Sequence, residues 1–371
     1  MIKLLHTGDI HLDSAFSGLD SRSAEIRRNE LRSAFTSMIT YARMNNADLI
    51  IIAGDLFDSE YVTKETISIL RREFESFAKP IFIAPGNHDP ASQKSIWHKK
   101  IFPDNVHVFT TEELSSVDLE DIPVTVYGYA FTSQSMLDFP ANSHSVNDTE
   151  RVNLLIAHGE ITSSTSSTCP ITEDALASFG ADYTALGHIH NPPAPGEDGR
   201  WCYCGCLEGR GFDELGPKGA CMVEITKSGT SSDIAIKRVR FSKRRYERGE
   251  LALDGIETAS QASDAISAYI SEHKYGDDTL LSLKLTGYIS PSLLLNTEVL
   301  ESEKHGLFLL KIEDATHPAL DTAALESDIT IRGEVYRQLK AYLTSDDPRT
   351  REVGTRALRY AFSALSGENH F

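Results

Sequence analysis

The sequence has no long apolar run and few cysteines. No apolar stretch approaches the roughly 18 residues that a membrane-spanning helix needs. The first residues, MIKLLHTGDIHLD, turn polar too early for a secretory signal and instead predict a first strand. Five cysteines in 371 residues, an odd number in a long chain, do not indicate a disulfide framework. We therefore expect a cytoplasmic protein that does not associate with a membrane.

Positive charge is also scarce. A net charge of −18 argues against a protein whose whole surface is basic for nucleic acid. One local stretch, KRVRFSKRRYER at 237–248, is nevertheless strongly basic. Such a stretch in an acidic chain is typical of contact with phosphate groups, although a solvated strand edge or linker is an equally open interpretation. The candidate DNA-binding residues are Arg238, Arg240, Lys243, Arg244 and Arg245.

The chain is long and apolar enough, at 40% hydrophobic residues, for one large domain and a smaller one. Short apolar runs alternate with helical patterns at 25–45 and 63–78, which predicts an α/β fold in stacked layers around a largely parallel sheet. The later runs RWCYCGCLEG and KGACMVEITKSG are expected to form a second sheet. From about residue 251 a new unit is predicted, with a helix at 259–273, two strands and two final helices.

Polar residues follow five of the apolar runs, at the predicted carboxyl ends of strands, where α/β sheets bind ligands. These clusters are Asp9-Ile10-His11, Gly54-Asp55, Gly86-Asn87-His88-Asp89, His158-Gly159 and Gly187-His188-Ile189-His190. Any one of these clusters alone is more typical of ordinary surface or core residues than of a metal site, but five in succession indicate a metal site. Oxygen and nitrogen donors without a thiolate suit manganese, iron or zinc, and their number suits two ions that share a carboxylate.

Three further residues, Cys202, Cys204 and Cys206, alternate in sequence and are predicted to lie on one face of a strand. Metal-binding cysteines usually occur as C-x-x-C pairs. We therefore interpret these three as small packing residues.

The series D-x-H, GD, GNHD, H and GHxH resembles the calcineurin-like metallophosphoesterase superfamily across residues 9–190. More narrowly, HTGDIHLDS, AGDLFD, APGNHDP, ALGHIH and YCGCLEGRGFDELGPKGA are similar to the SbcD-type DNA repair exonucleases. The resemblance implies an α-β-β-α sandwich, the nuclease domain, at 1–248. It also implies a smaller α+β cap domain with a C-terminal helical region at 249–371.

The resemblance also implies roles for individual residues. Asp9, His11 and His190 would bind one metal ion, Asn87, His158 and His188 would bind a second, and Asp55 would bridge them. His88 would face the scissile phosphate, and Asp89 would orient the His88 ring by a hydrogen bond. The chain departs from the eukaryotic and archaeal nucleases at Asp58, where they carry a histidine.

The implied function is a DNA phosphodiesterase with two divalent metal ions, with manganese as the expected metal, that acts as an exonuclease with single-strand endonuclease activity in double-strand break repair. The implied partners are DNA and an SbcC-like ABC ATPase whose coiled coil binds the C-terminal helices, with a homodimer as a further possibility. Two alternatives stay open, a small-nucleotide phosphodiesterase or phosphatase and a catalytically silent scaffold subunit for an ATPase. The basic stretch and the separate cap favour DNA, because a nucleotide phosphatase requires neither.

Overall fold

The computed structural model describes residues 1–162 and 166–366, so the last five residues of the predicted region 249–371 lie outside the described residues. The chain divides into two compact units, Met1–Arg245 and Tyr246–Phe371. The roles of nuclease domain and cap, expected for residues 1–248 and 249–371, stay predictions. Among the described residues, no helix is both long and apolar enough to cross a membrane.

The first unit contains thirteen strands and three α-helices among its described residues. In chain order they are β1 (Ile2–Thr7), α1 (Ser21–Met44), β2 (Leu49–Ala53), α2 (Lys64–Phe77), β3 (Ile81–Ala84), β4 (Val106–Val108), β5 (Ser115–Asp118), β6 (Val124–Gly128), β7 (Val152–His158), β8 (Glu160–Ile161), β9 (Pro170–Ile171), α3 (Glu173–Phe179), β10 (Tyr183–Gly187), β11 (Trp201–Tyr203), β12 (Gly219–Ser228) and β13 (Ser231–Arg240).

Two sheets form the centre of this unit, and they pack face to face. The first has the strand order β13-β12-β1-β2-β3-β4, and the second has the order β11-β10-β7-β6-β5. Strands β1 to β4 run parallel to one another, as do β6, β7, β10 and β11, whereas β12 and β5 pair antiparallel with β1 and β6. Leu4 and Ile52 of the first sheet share one buried apolar core with Leu154 and Ile156 of the second.

Helices cover the outer faces of the two sheets. Phe35 of α1 and Phe74 of α2 join the first core, whereas Phe179 of α3 packs in a separate cluster with the second sheet. This α-β-β-α order confirms the predicted layered α/β fold. Helix α1 begins four residues earlier than predicted, because the Asp20 carboxylate accepts hydrogen bonds from the backbone N–H groups of its first turn.

The later strands of this unit do not form a sheet of their own, contrary to the prediction from the sequence. Strand β12 runs antiparallel to β1 and extends the first sheet, while β11 extends the second. The prediction of three cysteines on one strand face is also wrong, because β11 ends at Tyr203 and Gly205 adopts a φ of +74°. Cys202, Cys204 and Cys206 are all buried, as packing residues are.

The second unit is α+β, as predicted. Its elements are β14 (Arg245–Ala252), α4 (Ala259–Glu272), β15 (Thr279–Thr286), β16 (Tyr288–Ile289), α5 (Thr297–Glu303), β17 (Leu309–Asp314), β18 (His317–Pro318), α6 (Thr322–Ser327), α7 (Ile331–Leu343) and α8 (Pro348–Ser366). Strands β14, β15 and β17 form a sheet, and α4 packs in its apolar core through Ile266. Helices α7 and α8 pack together through Tyr336, Leu358 and Phe362.

Candidate metal centre

The five polar clusters lie at the carboxyl ends of β1, β2 and β3 in the first sheet and of β7 and β10 in the second. The two sheets approach closely at this end. A Cβ atom on Gly187, at the end of β10, would lie only 1.7 Å from the Ala53 carbonyl oxygen at the end of β2. The Asp9 carboxylate accepts a hydrogen bond of 2.9 Å from the His188 backbone N–H, which joins β1 to β10 across the gap. Donors from both sheets therefore meet at one place.

Four of the predicted ligands adopt left-handed backbone conformations. The φ angles are 46° at Asp9, 51° at His11, 50° at Asp55 and 100° at His188. Positive φ is uncommon outside glycine, although aspartate and histidine tolerate it better than most residues. The chain turns sharply at each of these positions and directs the side chain across the strand ends.

Asp9, His11 and His190 offer three donor atoms that lie within 4.8 Å of one another. The Nε2 atoms of His11 and His190 are 3.1 Å apart, and the His190 Nε2 lies 3.9 Å from an Asp9 carboxylate oxygen. When both rings carry their proton on Nδ1, the two Nε2 lone pairs face each other and repel, and a cation between them relieves the repulsion. The donor set therefore fits a divalent metal ion.

A second group consists of Asp9, Asp55 and His158, all of which are buried, with donor atoms again within 4.8 Å of one another. The His158 Nε2 atom lies 3.5 Å from Asp55 Oδ2 and 2.9 Å from Asn87 Oδ1. Asp55 Oδ2 also lies 3.8 Å from the His11 Nε2 atom, so this carboxylate stands between the two groups. The His188 ring is adjacent, with its centroid 5.2 Å from that of His158.

Burial shifts the pKa values of three of these donors toward the neutral side chain. It raises the pKa of Asp9 to about 6 and lowers those of His11 and His188 to about 4. The pKa of His190 is raised, because its hydrogen bond with Glu214 outweighs the effect of burial. Histidines that stay neutral at pH 7 keep the lone pair that a metal ion requires.

His88 stands apart from the buried donors, with an exposed side chain. Its backbone N–H donates to Asp55 Oδ1 at 2.9 Å, and its ring Nδ1 lies 3.3 Å from the carbonyl oxygen of Asp58. The centroid of its ring is 4.8 Å from that of His11. The imidazole is thus held beside the candidate metal donors by its own backbone.

The hydrogen bond predicted between Asp89 and the His88 ring is not formed. The buried Asp89 carboxylate instead accepts hydrogen bonds from the backbone N–H groups of Gly86, at 2.9 Å, and Phe57, at 3.1 Å. The turn after β3 is so tight that the Asp89 carboxylate reaches the backbone of this turn and of the loop after β2. The group at His88 Nδ1 is a carbonyl, and a catalytic role for Asp89 by direct contact with His88 is therefore wrong.

Two charged residues that the sequence did not single out complete the site. Arg210 and Glu214 lie in the loop that follows β11, and Glu214 Oε1 is 2.6 Å from the Nδ1 atom of His190. Arg210 in turn contacts Asp58, whose carboxylate lies 3.2 Å from His11 Nδ1. The stretch GRGFDELGPKG carries both residues, but its irregular loop has no periodicity that would have indicated a role.

The basic stretch is tied to the fold at several points. Arg244 binds Glu30 of α1, with two Nε–oxygen distances of 3.0 Å, and the Arg238 guanidinium donates to the carbonyl oxygens of Tyr203 and Cys204. Arg238 and Arg240 also line a cavity of about 290 Å³ together with His190, one of the candidate metal ligands. Lys243, by contrast, has a side chain that is 66% exposed, and Arg245 begins β14.

A family model matches residues 2–192, and its description is Calcineurin-like phosphoesterase. This range contains all five polar clusters, from Asp9 in the first sheet to His190 in the second, so every candidate metal ligand lies inside it.

Individual relatives are more distant. The uncharacterized metallophosphoesterase YhaO of Bacillus subtilis is 29% identical over 62% of this chain and 59% of its own. The DNA double-strand break repair protein Mre11 of Halobacterium salinarum is 27% identical over 66% of this chain and 62% of its own. One subunit of the nuclease SbcCD of Staphylococcus epidermidis is 26% identical over 52% of this chain and 57% of its own. The chain thus spans about three fifths of the length of these relatives.

Proposed function

The chain belongs to the calcineurin-like phosphoesterase family, a family of metal-dependent hydrolases, and from this premise we propose that it is a two-metal DNA phosphodiesterase. In this proposal it acts as an exonuclease with single-strand endonuclease activity in DNA double-strand break repair. The observation that carries the proposal is the convergence of carboxylate and imidazole donors from two sheets within 4.8 Å. The similarity to proteins named as Mre11 and as a subunit of the SbcCD nuclease supports DNA as the substrate.

The proposed ligands are those that the resemblance implies, and the metal is proposed to be manganese. Asp9, His11 and His190 hold one ion, Asn87, His158 and His188 hold the other, and Asp55 lies between them. Bound divalent ions supply an activated water at neutral pH and stabilise the charge of a phosphoryl group. The lowered pKa values of His11 and His188 and the absence of a thiolate among these donors agree with this choice.

His88 is proposed to act on the phosphate itself. Because a carbonyl oxygen only accepts hydrogen bonds, the contact with Asp58 requires the proton on the Nδ1 atom of His88. The Nε2 atom then carries the lone pair in the neutral ring and becomes a donor when the ring is protonated. In that form His88 can donate to a phosphoryl oxygen or pass a proton to the leaving oxygen.

One observation argues against each of the two alternative functions. A silent scaffold has no need of carboxylate and imidazole donors that converge from two sheets. A small-nucleotide phosphodiesterase has no need of a basic stretch beside the centre, yet Arg238 and Arg240 share a cavity with His190. DNA, with a phosphate chain that extends beyond the scissile bond, makes use of both features.

Removal of metal tests the proposed function directly. Purified protein should degrade linear duplex and single-stranded DNA with added manganese, and excess EDTA should abolish the activity, because the ions supply the nucleophile. Gel assays over time measure the products. Equal degradation in EDTA would overturn the two-metal proposal, whereas cleavage of a small phosphodiester but of no DNA would favour the small-nucleotide alternative.

The residues Arg238, Arg240, Lys243, Arg244 and Arg245 are proposed to contact the DNA backbone. Arg244 is a poor probe because its loss would break hydrogen bonds of 3.0 Å with Glu30, whereas Lys243 approaches that carboxylate only to 3.9 Å. The double variant Arg240→Ala/Lys243→Ala should weaken DNA binding regardless of sequence and reduce the slope of log K against log salt by about 0.9 per lost contact. Fluorescence anisotropy over a salt series measures this. Lys64→Ala, which removes an exposed charge at the start of α2, is the control, and an equal slope in both variants would contradict the proposal.

We further propose that the protein is cytoplasmic and that an SbcC-like ABC ATPase binds its C-terminal helices; a homodimer also stays a prediction. The support lies in α8. Leu358 and Phe362 are buried against α7, whereas Val353 and Tyr360, two turns apart, are 56% and 61% exposed. An amphipathic helix with exposed apolar side chains is suited to a groove or a coiled coil.

This partner proposal is tested by substitutions on the exposed side of α8. Val353→Asp/Tyr360→Asp should abolish co-purification with the co-expressed ATPase, because charges would enter an apolar contact. Manganese-dependent cleavage by the isolated protein should persist. Val299→Asp, which changes an exposed apolar residue on α5, is the matched control. Full retention of the complex by the double variant would exclude this surface.

A further inference from the structure

Arg210 connects loops from the two sheets beside the candidate metal centre. Its Nη1 donates to Asp58 Oδ1 at 2.6 Å, in the loop after β2, and its Nη2 donates to Glu214 Oε1 at 3.2 Å, in the loop after β11. The backbone N–H of Arg210 also donates to Glu214 Oε2 at 2.7 Å. The guanidinium is thus fixed between two carboxylates from loops that follow different sheets, and its Nη2 also lies 3.3 Å from His190 Nδ1.

Each of these carboxylates meets a histidine of the same proposed metal site. Asp58 Oδ1 lies 3.2 Å from His11 Nδ1, and Glu214 Oε1 lies 2.6 Å from His190 Nδ1. The Nε2 atoms of these two rings are the ones that face each other at 3.1 Å. At His190 the carboxylate binds the Nδ1 atom by a hydrogen bond, which orients the ring and leaves the lone pair on Nε2 for a metal ion, whereas Asp58 meets His11 Nδ1 at 3.2 Å without forming a hydrogen bond.

We propose that Arg210 is a positioning residue that holds His11 and His190 in the geometry for one metal ion through Asp58 and Glu214. This inference rests on the proposed function, because it assigns the support of the same metal centre. Both histidines that these carboxylates orient belong to one proposed ion, whereas Asn87, His158 and His188 belong to the other. The effect of Arg210 is therefore expected at one of the two sites.

The charge distribution around Arg210 agrees with this role. Burial alone would raise the pKa of Glu214, but the hydrogen bond with His190 and the charge of Arg210 hold it at about 2. The contacts with His11 and Arg210 likewise lower the pKa of Asp58 against the effect of burial. The geometry agrees, because the Arg210 guanidinium lies 2.6 Å from Asp58 Oδ1 and 3.2 Å from Glu214 Oε1.

Asp58 does not serve a metal ion of its own. His11, Asp58 and His88 have donor atoms within 4.8 Å of one another, which by distance alone permits a further ion. The cation at the Asp58 carboxylate is, however, the Arg210 guanidinium at 2.6 Å. A divalent ion there would be repelled by this guanidinium, and Asp58 is left as the partner of His11.

The test is a manganese titration of the full chain, in which the EPR signal of free Mn²⁺ reports how much metal is bound. Wild type should bind two equivalents. Arg210→Met should bind one of them about 10- to 100-fold more weakly and the other unchanged, since loss of groups that orient a metal ligand has an effect of this size. Arg210→Lys keeps the charge but cannot contact both carboxylates at once. Its affinity for this equivalent should lie between those of wild type and Arg210→Met. The loss of affinity in Arg210→Met/Glu214→Gln should be smaller than the product of the two single losses, because both changes release the His190 ring.

Lys227→Met is the matched control, because it breaks an ion pair of the same length, 2.6 Å, with Asp182, at the opposite end of β10. It should lower the melting temperature and leave both manganese affinities unchanged. If Arg210→Met is folded by circular dichroism and binds manganese as wild type does, Arg210 has no positioning role. If Arg210→Met does not fold, Glu214→Gln decides, and an unchanged affinity there overturns the inference. If wild type itself binds no manganese, the metal centre of the proposed function fails together with it.

Discussion

Replacing His88 with alanine should reduce DNA cleavage about 10²- to 10⁴-fold, the range typical of a lost proton-transfer group, while both manganese equivalents stay bound. The metal donors should survive because the hydrogen bond of this residue to the buried centre is made by its backbone. The His88 N–H donates to Asp55 Oδ1 at 2.9 Å, and alanine keeps that N–H. Only the exposed imidazole is removed.

Single-turnover cleavage assays and elemental analysis of the dialysed protein measure the two outcomes. Asn87→Ala is the neighbouring control, because it removes a side-chain oxygen that lies 2.9 Å from His158 Nε2. That variant should lose affinity for one metal ion. Loss of a metal equivalent in His88→Ala, or cleavage at the wild-type rate, would refute the role assigned to the imidazole.

The largest loss of stability is expected from Arg27→Met, at about 3–5 kcal/mol, the usual cost of breaking a buried ion pair from one side. Arg27 is fully buried in α1. It donates to Glu30 at 2.8 Å, to Glu208 at 2.7 Å and to the Gly209 carbonyl oxygen at 2.9 Å. Methionine fills the volume but leaves the Glu208 carboxylate buried without its cation.

Urea denaturation of the metal-free protein, followed by circular dichroism, measures this loss. Arg28→Met is the matched control on the next residue of α1. Arg28 pairs with Glu25 at the surface, where solvent screens the interaction, so its loss should have a much smaller effect. Equal midpoints for the two variants would show that the Arg27 contacts contribute little.

The position of the candidate metal donors at strand ends could be predicted from the sequence, because the pattern that indicates it is local. A buried strand shows as an unbroken apolar run, such as IFIA at 81–84, and the turn that follows shows as glycine and polar residues. Parallel strands bring their carboxyl ends to one edge. The clustering of Asp9, Asp55 and His158 therefore follows from a pattern within about ten residues of each strand end.

What could not be predicted depends on residues that are distant in sequence. Arg210 lies 152 residues from Asp58, and no local pattern pairs an arginine in an irregular loop with a carboxylate that far away. The partner of β12 was missed for the same reason, since alternation predicts a strand but not the sheet it joins. The expectation for Asp89 was wrong because two backbone N–H groups compete for its carboxylate, and the chain places them closer than the His88 ring.

The candidate metal donors come from two different sheets. The packing between these sheets therefore affects the geometry of the site. A pair of ions held from both sides would act as a cross-link between the layers, and its strength would depend on how well those layers pack. Leu154 and Ile156 lie in the core between the sheets and are not among the proposed donors. Because close-packed interiors transmit strain, truncation there would shift one half of the centre against the other. Substitutions of apolar core residues can thus change the catalytic rate of this protein, although a comparison of active-site residues would not identify them.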